Sequence, residues 1–362
     1  MEDLETSYRK EKEAKRKTKR VSMRKVKNLL QILLIMVMAA VIVLLIAGLI
    51  NEKHKNNETE NQYEGMVILT EEQYEQALLN SRQEGEAKGA EDFRNDIKAQ
   101  CESGSSSMVK LLRKWYPEYV VYNTKDGYVF ADIAENFPAN DIDNTGLVKQ
   151  ENGDMEYFIG DEKVSKKGID VSKYQGEIDW KKVAATDIDY AIIRVGIRGY
   201  GSGKLVVDET LEDNLKGARQ ARIPMGVYFA TQAVSVEEAK EEAELVLESI
   251  KGYKLEYPVC IDVEEVADSE ARTANLTKEE RTEYVITFLE TIKEAGYDVM
   301  IYGNLKSFCG MMDITKLEEY PLWFAYYDSE IYFPYRIDMW QYSEKGKIDG
   351  IKEEVDLNIY FR

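Results

Sequence analysis

From Gly168 onward the sequence repeats one alternation, and few folds satisfy it. Apolar runs of strand length are Ile169-Asp170-Val171, Tyr190 to Gly196, Met225 to Ala230, Val259 to Val263 and Val299 to Tyr302. Between them lie windows with apolar residues at three- and four-residue steps, the spacing of one helix face. These are Leu211, Leu215, Ala218 and Ala221; then Ala239, Ala243, Val246, Leu247 and Ile250; then Val285, Phe288, Leu289 and Ile292. Asp179 is placed to cap a short helix over Trp180 to Ala185, while Ser235 with Glu238 and Thr277 with Glu280 have the spacing of capping boxes. Strands alternating with helices imply parallel βα units. Leu322 to Tyr326, Ile337 to Tyr342 and Val355 to Tyr360 then read as three further strands with no amphipathic helix between them. The link between the first two is short for a parallel crossover, so at least one late strand should run antiparallel. The fold class expected for residues 164–362 is α/β, an eight-stranded TIM-like barrel whose last part has lost its helices.

A barrel of this kind carries its chemistry at the C-terminal ends of its strands. This chain places Asp170, Tyr228, Asp262, Glu264 and Tyr302 there, with Trp323, Tyr326, Trp340, Gln341 and Asp356 on the late strands. Asp262 and Glu264 stand two apart at the end of an apolar run and so share one face of a strand. Acids on a buried strand need a partner or a task. The single histidine, His54, lies far upstream, which excludes a Ser-His-Asp triad, a Cys-His pair and a His-ligated zinc site in the folded portion. Cys101, Cys260 and Cys309 have the spacing of neither a disulfide framework nor a metal motif, and Cys260 lacks an activating base. No cofactor or metal is expected. Carboxylates among Tyr and Trp suit sugar chemistry: glycosidic cleavage needs a protonated acid for the leaving oxygen and negative charge against an oxocarbenium-like transition state.

Upstream of the barrel the composition changes sharply. Residues 1–28 hold eleven Lys/Arg against five acids, whereas the whole chain carries a net charge of -19. A nucleic-acid partner is therefore excluded for the acidic body. Leu29 to Ile50 is a run of 22 residues with Gln31 as its one polar side chain. That is the length of a bilayer span, and the basic flank places residues 1–28 in the cytoplasm and 51–362 outside. A polar linker follows, then a stalk helix capped by Thr70 with Gln73 and reaching about Gln100, together residues 51–102. Residues 103–163 read as a small α+β module with a hairpin around Asp126-Gly127. Residues 51–163 are a spacer or a candidate contact for cell-envelope proteins.

Three separated stretches resemble glycoside hydrolase family 25, the bacterial and phage muramidases. Gly168-Ile-Asp170-Val-Ser-Lys-Tyr174-Gln-Gly176 is similar to the family's opening signature, and Tyr257-Pro-Val-Cys-Ile-Asp262-Val-Glu264 to its central Asp-x-Glu. Trp340-Gln341-Tyr342, Gly350-Ile351 and Val355-Asp356-Leu357-Asn358 resemble its C-terminal signature. The resemblance implies a (β/α)5β3 barrel that hydrolyses the β-1,4 bond between N-acetylmuramic acid and N-acetylglucosamine in peptidoglycan. By that analogy Glu264 is the general acid/base, Asp262 stabilises positive charge or orients the substrate N-acetyl group, and Asp170 and Asp356 support them. Tyr174, Tyr228, Tyr302, Trp323, Tyr326 and Gln341 are the candidate substrate contacts. One departure is visible: the family often has Tyr-His-Phe-Ala where this chain has Tyr228-Phe229-Ala230. The rival reading is a scaffold that holds glycan without cutting it.

Overall fold

The computed structural model describes residues 69–103 and 107–361, together with Met38. The expected cytoplasmic tail, the rest of the 29–50 span and the linker up to residue 68 lie outside the described residues. Among those described, no helix is long and apolar enough to cross a membrane. The chain divides into two compact units, Met1–Leu111 and Leu112–Arg362.

The first unit contributes helix α1, Glu71–Glu102, of 32 residues and so about 48 Å long. Thr70 caps it as the sequence implies: its Oγ1 accepts from Gln73 N, and Gln73 Oε1 accepts from Thr70 N. Its one buried residue is Ser81, with Tyr74, Leu79 and Phe93 exposed, and Arg82 pairs with Glu86 one turn along it.

The second unit begins within α2 (Val109–Trp115) and continues through the hairpin β1 (Tyr119–Thr124) and β2 (Gly127–Asp132). A small antiparallel sheet follows, β3 (Leu147–Lys149), β4 (Met155–Ile159) and β5 (Glu162–Lys163). Then comes β6 (Lys166–Val171), α3 (Trp180–Val183), β7 (Tyr190–Arg198), β8 (Leu205–Val207), α4 (Leu211–Ala221), β9 (Met225–Ala230) and α5 (Val236–Ser249). The chain ends with β10 (Val259–Asp262), α6 (Lys278–Glu294), β11 (Val299–Gly303), β12 (Leu322–Ala325), β13 (Met339–Gly346) and β14 (Val355–Tyr360).

Eight strands pair in the order β6-β14-β13-β12-β11-β10-β9-β7, and β6 pairs with β7 to close the barrel; β8 is a hairpin appendage on β7. β14 alone of the eight runs antiparallel, to both β13 and β6. The short link between the first two late strands is nonetheless a parallel crossover, because β12 stops at Ala325 and β13 starts at Met339. That leaves residues 326–338 to make the return without a helix. A second departure concerns α5. Ser235 Oγ accepts from Glu238 N, but Glu238 does not close the box; its carboxylate instead accepts from Val234 N and Arg272. One carboxylate oxygen is thus engaged by the Arg272 guanidinium and the other by the Val234 amide.

Strand alternation builds two cores from each strand. Ile169, Ile193, Val227, Ile261, Ile301, Phe324, Trp340 and Ile359 face outward; Leu215, Val246 and Phe288 of the helices belong to this outer core, while Phe324, on a strand without a helix, stacks on Phe333. Tyr190, Ile192, Cys260, Met300, Tyr302, Trp323 and Met339 fill the barrel interior. At the N-terminal end the plug is aromatic, with Tyr190 stacked on Tyr257 at 4.2 Å. Gly168 is required there, since a Cβ at that position would lie 2.1 Å from the Tyr190 ring. Phe229, at the departure from the family pattern, is fully buried and stacked on Phe288.

Candidate active site

The opposite end of the barrel is acidic. Asp170 is next to last in β6 and Asp262 ends β10, both with side chains inward, and Glu264 follows Asp262 by two residues. β14 brings Asp356 level with Asp170, its direct cross-strand partner, because an antiparallel strand reaches this rim with its beginning rather than its end. The four carboxylates come to one rim through seven parallel strands and one reversed.

Asp170 is buried, and its Oδ2 accepts from Gln341 Nε2 at 2.9 Å and Asn358 Nδ2 at 2.8 Å. Behind those amides stand their own donors. Tyr302 and Tyr327 donate to Gln341 Oε1 at 2.8 and 2.7 Å, and Trp323 Nε1 donates to Asn358 Oδ1 at 2.8 Å. These donors fix which way each amide points, so both present N–H groups to the same carboxylate oxygen.

Burial raises the pKa of Asp170, while its bonds to Asn358, Gln341 and Asp356 pull it back. Asp356 is pushed up to about 9 by burial, then by the charge of Asp170 and their mutual hydrogen bond. The pair thus holds on to a proton above the ordinary carboxyl range, shared between two acids that face each other across the strands. Asp262 is raised well above the ordinary range by burial, then by Glu264 and Asp170, with Arg194 opposing. Its Oδ1 is buried without a hydrogen-bond partner among the described residues. Glu264 is raised by desolvation and then by Asp170, although its side chain opens to solvent at the mouth. Burial first, and the neighbouring acids after it, raises all four carboxyls above their ordinary range.

This arrangement sets the pH dependence of stability. Each of the four acids binds its proton more tightly folded than unfolded, as does buried Glu242, raised to about 7 mainly by burial. The folded state then holds more protons than the unfolded one, and stability must fall as pH rises. The window runs from the unfolded carboxyl value of about 4 to about 9, where Asp356 ionises. Denaturant midpoints at pH 5, 7 and 9 should decline in that order; a rise toward pH 9 would contradict the protonated cluster.

The structure separates the aromatic candidates. Tyr228 and Tyr302 line the interior beside Trp323, with ring centroids 6.2 and 4.6 Å from it. Trp323 itself is 1% exposed, so it forms the floor beneath the acids rather than an open platform. Gln341 is the buried hub already described. Tyr174 is 69% exposed at the rim, with Arg194 stacked 5.1 Å from its ring. Tyr326 points to the outer face, where its hydroxyl accepts from Arg113 and its ring stacks on Phe324. Its neighbour Tyr327 turns inward instead.

Four participants escaped the sequence reading: Arg194, Asp208, Tyr327 and Asn358. Arg194 occupies an inward position of β7, and its ion pair with the wholly buried Asp208 carboxylate is 2.7 Å long. Asp208 also accepts from Lys173 N and Thr210 N, tying the Tyr174 loop to the barrel. Period-two alternation along β14 puts Asn358, two residues on, on the same face as Asp356, a signal that could have found it. Around the rim, Arg198 bonds Glu242 and Gly203 O, Arg272 bonds Glu238, and Thr273 bonds Gln232, stitching the loops after β7, β9 and β10 together. Among the described residues no group of three or more His, Cys, Asp or Glu is arranged to hold a metal.

A closed barrel with clustered, proton-retaining carboxyls and aromatic walls at one mouth defines a carbohydrate-cleaving hydrolase. The chain belongs to the family Glycosyl hydrolases family 25, which residues 169–351 match, and it is accordingly a glycoside hydrolase. It is similar to the modular autolysin LytC of Streptococcus pneumoniae, whose structure is in complex with a synthetic peptidoglycan ligand. The likeness is 27% identity over 67% of this chain and 56% of that one, with a TM-score of 0.50. The chain thus spans little more than half of that autolysin. The bacterial lysozyme from Streptomyces coelicolor is 24% identical over 54% of this chain and 91% of its own, with a TM-score of 0.47. The uncharacterized protein YegX of Escherichia coli strain K12 is 27% identical over 202 residues, 53% of this chain and 68% of YegX.

Proposed function

We propose that the protein is a peptidoglycan hydrolase, an N-acetylmuramidase, tethered to the outer face of the cell membrane by residues 29–50. The observation that carries the reading is the acid cluster: Asp170, Asp262, Glu264 and Asp356 converge at the mouth of a family 25 barrel with protons retained among them. Glu264 is the member open to solvent, where a glycosidic oxygen would arrive, and its raised pKa suits it to deliver a proton near neutrality. Asp262, buried beneath it, faces the developing positive charge or the substrate N-acetyl group. Asp170, held by two amides, is the fixed support of the cluster. The likeness to an autolysin seen with a peptidoglycan ligand supports the choice of substrate. Membrane tethering rests on the uncharged run of 22 residues and its basic flank.

Incubating the full chain with purified cell wall and analysing the soluble fragments tests the activity. New muramic-acid reducing ends are expected; wall that stays intact while holding bound protein would replace the enzyme with a glycan-binding scaffold. For the tether, protease added to wall-stripped cells should destroy a barrel epitope and spare an N-terminal tag. The reverse pattern would overturn the topology.

A further inference from the structure

The return from β12 to β13 is the weak point of this barrel by construction. A parallel crossover is ordinarily carried by a helix packed on the sheet, and here residues 326–338 make it without one. The segment preceding the barrel holds that stretch instead. The Tyr332 hydroxyl accepts from Val121 N at 3.0 Å and donates to Tyr119 O at 3.2 Å. Asn144 exchanges two hydrogen bonds with the Ile331 backbone, Asn140 N donates to Pro334 O and Arg336 N donates to Pro138 O. Tyr335 Oη accepts from Ala134 N, and its ring packs on Phe137.

Arg113 is at the centre of these contacts. Its guanidinium carbon lies 3.7 Å from the centroid of the Tyr332 ring; its Nε donates to Val121 O at 2.8 Å and an Nη to the Tyr326 hydroxyl at 2.7 Å. The main chain of Tyr326 is fastened to β13, its N donating to Gln341 O and its O accepting from Trp340 Nε1. The next side chain must point the other way. Tyr327 does, and its hydroxyl reaches Gln341, whose amide holds Asp170.

We propose that Arg113 is a positioning residue for the hydrolase site: by clamping Tyr326 and Tyr332 it keeps Tyr327 seated on Gln341 and so keeps the Gln341 amide on Asp170. The segment from Arg113 to Asn144 is then part of the working enzyme and not a spacer. It lies outside the stretch matched to the family, residues 169–351. The inference rests on the reading of the acid cluster as catalytic.

The test uses the full chain and four variants: Arg113→Ala, Tyr326→Phe, Tyr327→Phe and the double Arg113→Ala/Tyr327→Phe. Loss of one hydrogen bond corresponds to a roughly fivefold change. Arg113→Ala and Tyr327→Phe should each lower kcat by about that factor with KM little changed, and Tyr326→Phe, which keeps the ring and its packing, should shift kcat the same way. The double variant should be no slower than the slower single one, because both act through one contact. Multiplying losses, or a fall in melting temperature with kcat untouched, would show that Arg113 only stabilises the fold. Hydrogen exchange of the Tyr326 to Asp328 amides reads the clamp without any activity: Arg113→Ala should speed it, and unchanged exchange overturns the proposal. A wild-type protein that opens no glycosidic bond, with exchange nonetheless speeded, would count against the proposed reaction and leave the clamp standing.

Discussion

Glu264→Gln is expected to leave a folded protein that binds cell wall and cleaves it about 10²–10⁴-fold more slowly, the usual contribution of a general acid. The amide keeps the shape and most of the hydrogen bonding of the acid but has no proton to deliver to the glycosidic oxygen. Stability should change little or rise, because the substitution removes the charge that helps push Asp262 up. The measurement is turnover, melting temperature and wall binding on one preparation of each protein. Near wild-type turnover in a folded, binding variant would take the acid role away from Glu264 and pass it to Asp262.

Trp323→Ala is expected to damage the same site from beneath. Trp323 is among the largest side chains in the molecule that are almost wholly buried, and it fills the interior between Tyr228 and Tyr302. Truncating such a residue costs about 3–5 kcal/mol in lost packing and residual cavity. It also frees Asn358 Oδ1, after which nothing fixes that amide on Asp170. Both stability and turnover should therefore fall. Trp323→Phe, which keeps most of the volume but loses the indole N–H, separates the two effects: turnover should suffer more than the melting temperature. Were Trp323 a sugar platform, the chief symptom of Trp323→Phe would be a raised KM instead.

These two expectations divide along the line between what was written locally and what was not. The two-residue spacing of Asp262 and Glu264 puts both on one face wherever that strand sits, and the strand ends are where a barrel exposes side chains. Asp170 was legible as an acid at the end of the first strand, and Asp356 as an acid on a late strand in a stretch that resembles the family's C-terminal signature. Tyr326 and Trp323 were harder, because an aromatic in a strand looks alike whether it lines a cleft, floors it or packs outside it. Only the register settles that: Tyr326 faces Arg113 and Tyr327 the site, although they are adjacent.

The sequence by itself determined the alternation of strands and helices, the chemical character of the strand ends and the absence of a histidine or thiol base near them. It could do so because hydrophobic period, caps and short motifs are local properties, each fixed within a few residues. The tertiary structure alone decided which groups meet across the chain. Asp356 joins Asp170 because β14 runs backwards; Arg194 finds Asp208 across the β7–β8 hairpin; Arg113 reaches Tyr326, 213 residues away. Such pairings depend on barrel closure and strand direction, which no short stretch encodes. The protonation of the cluster belongs to the same category, since burial and neighbouring charge arise only once the mouth of the barrel is assembled.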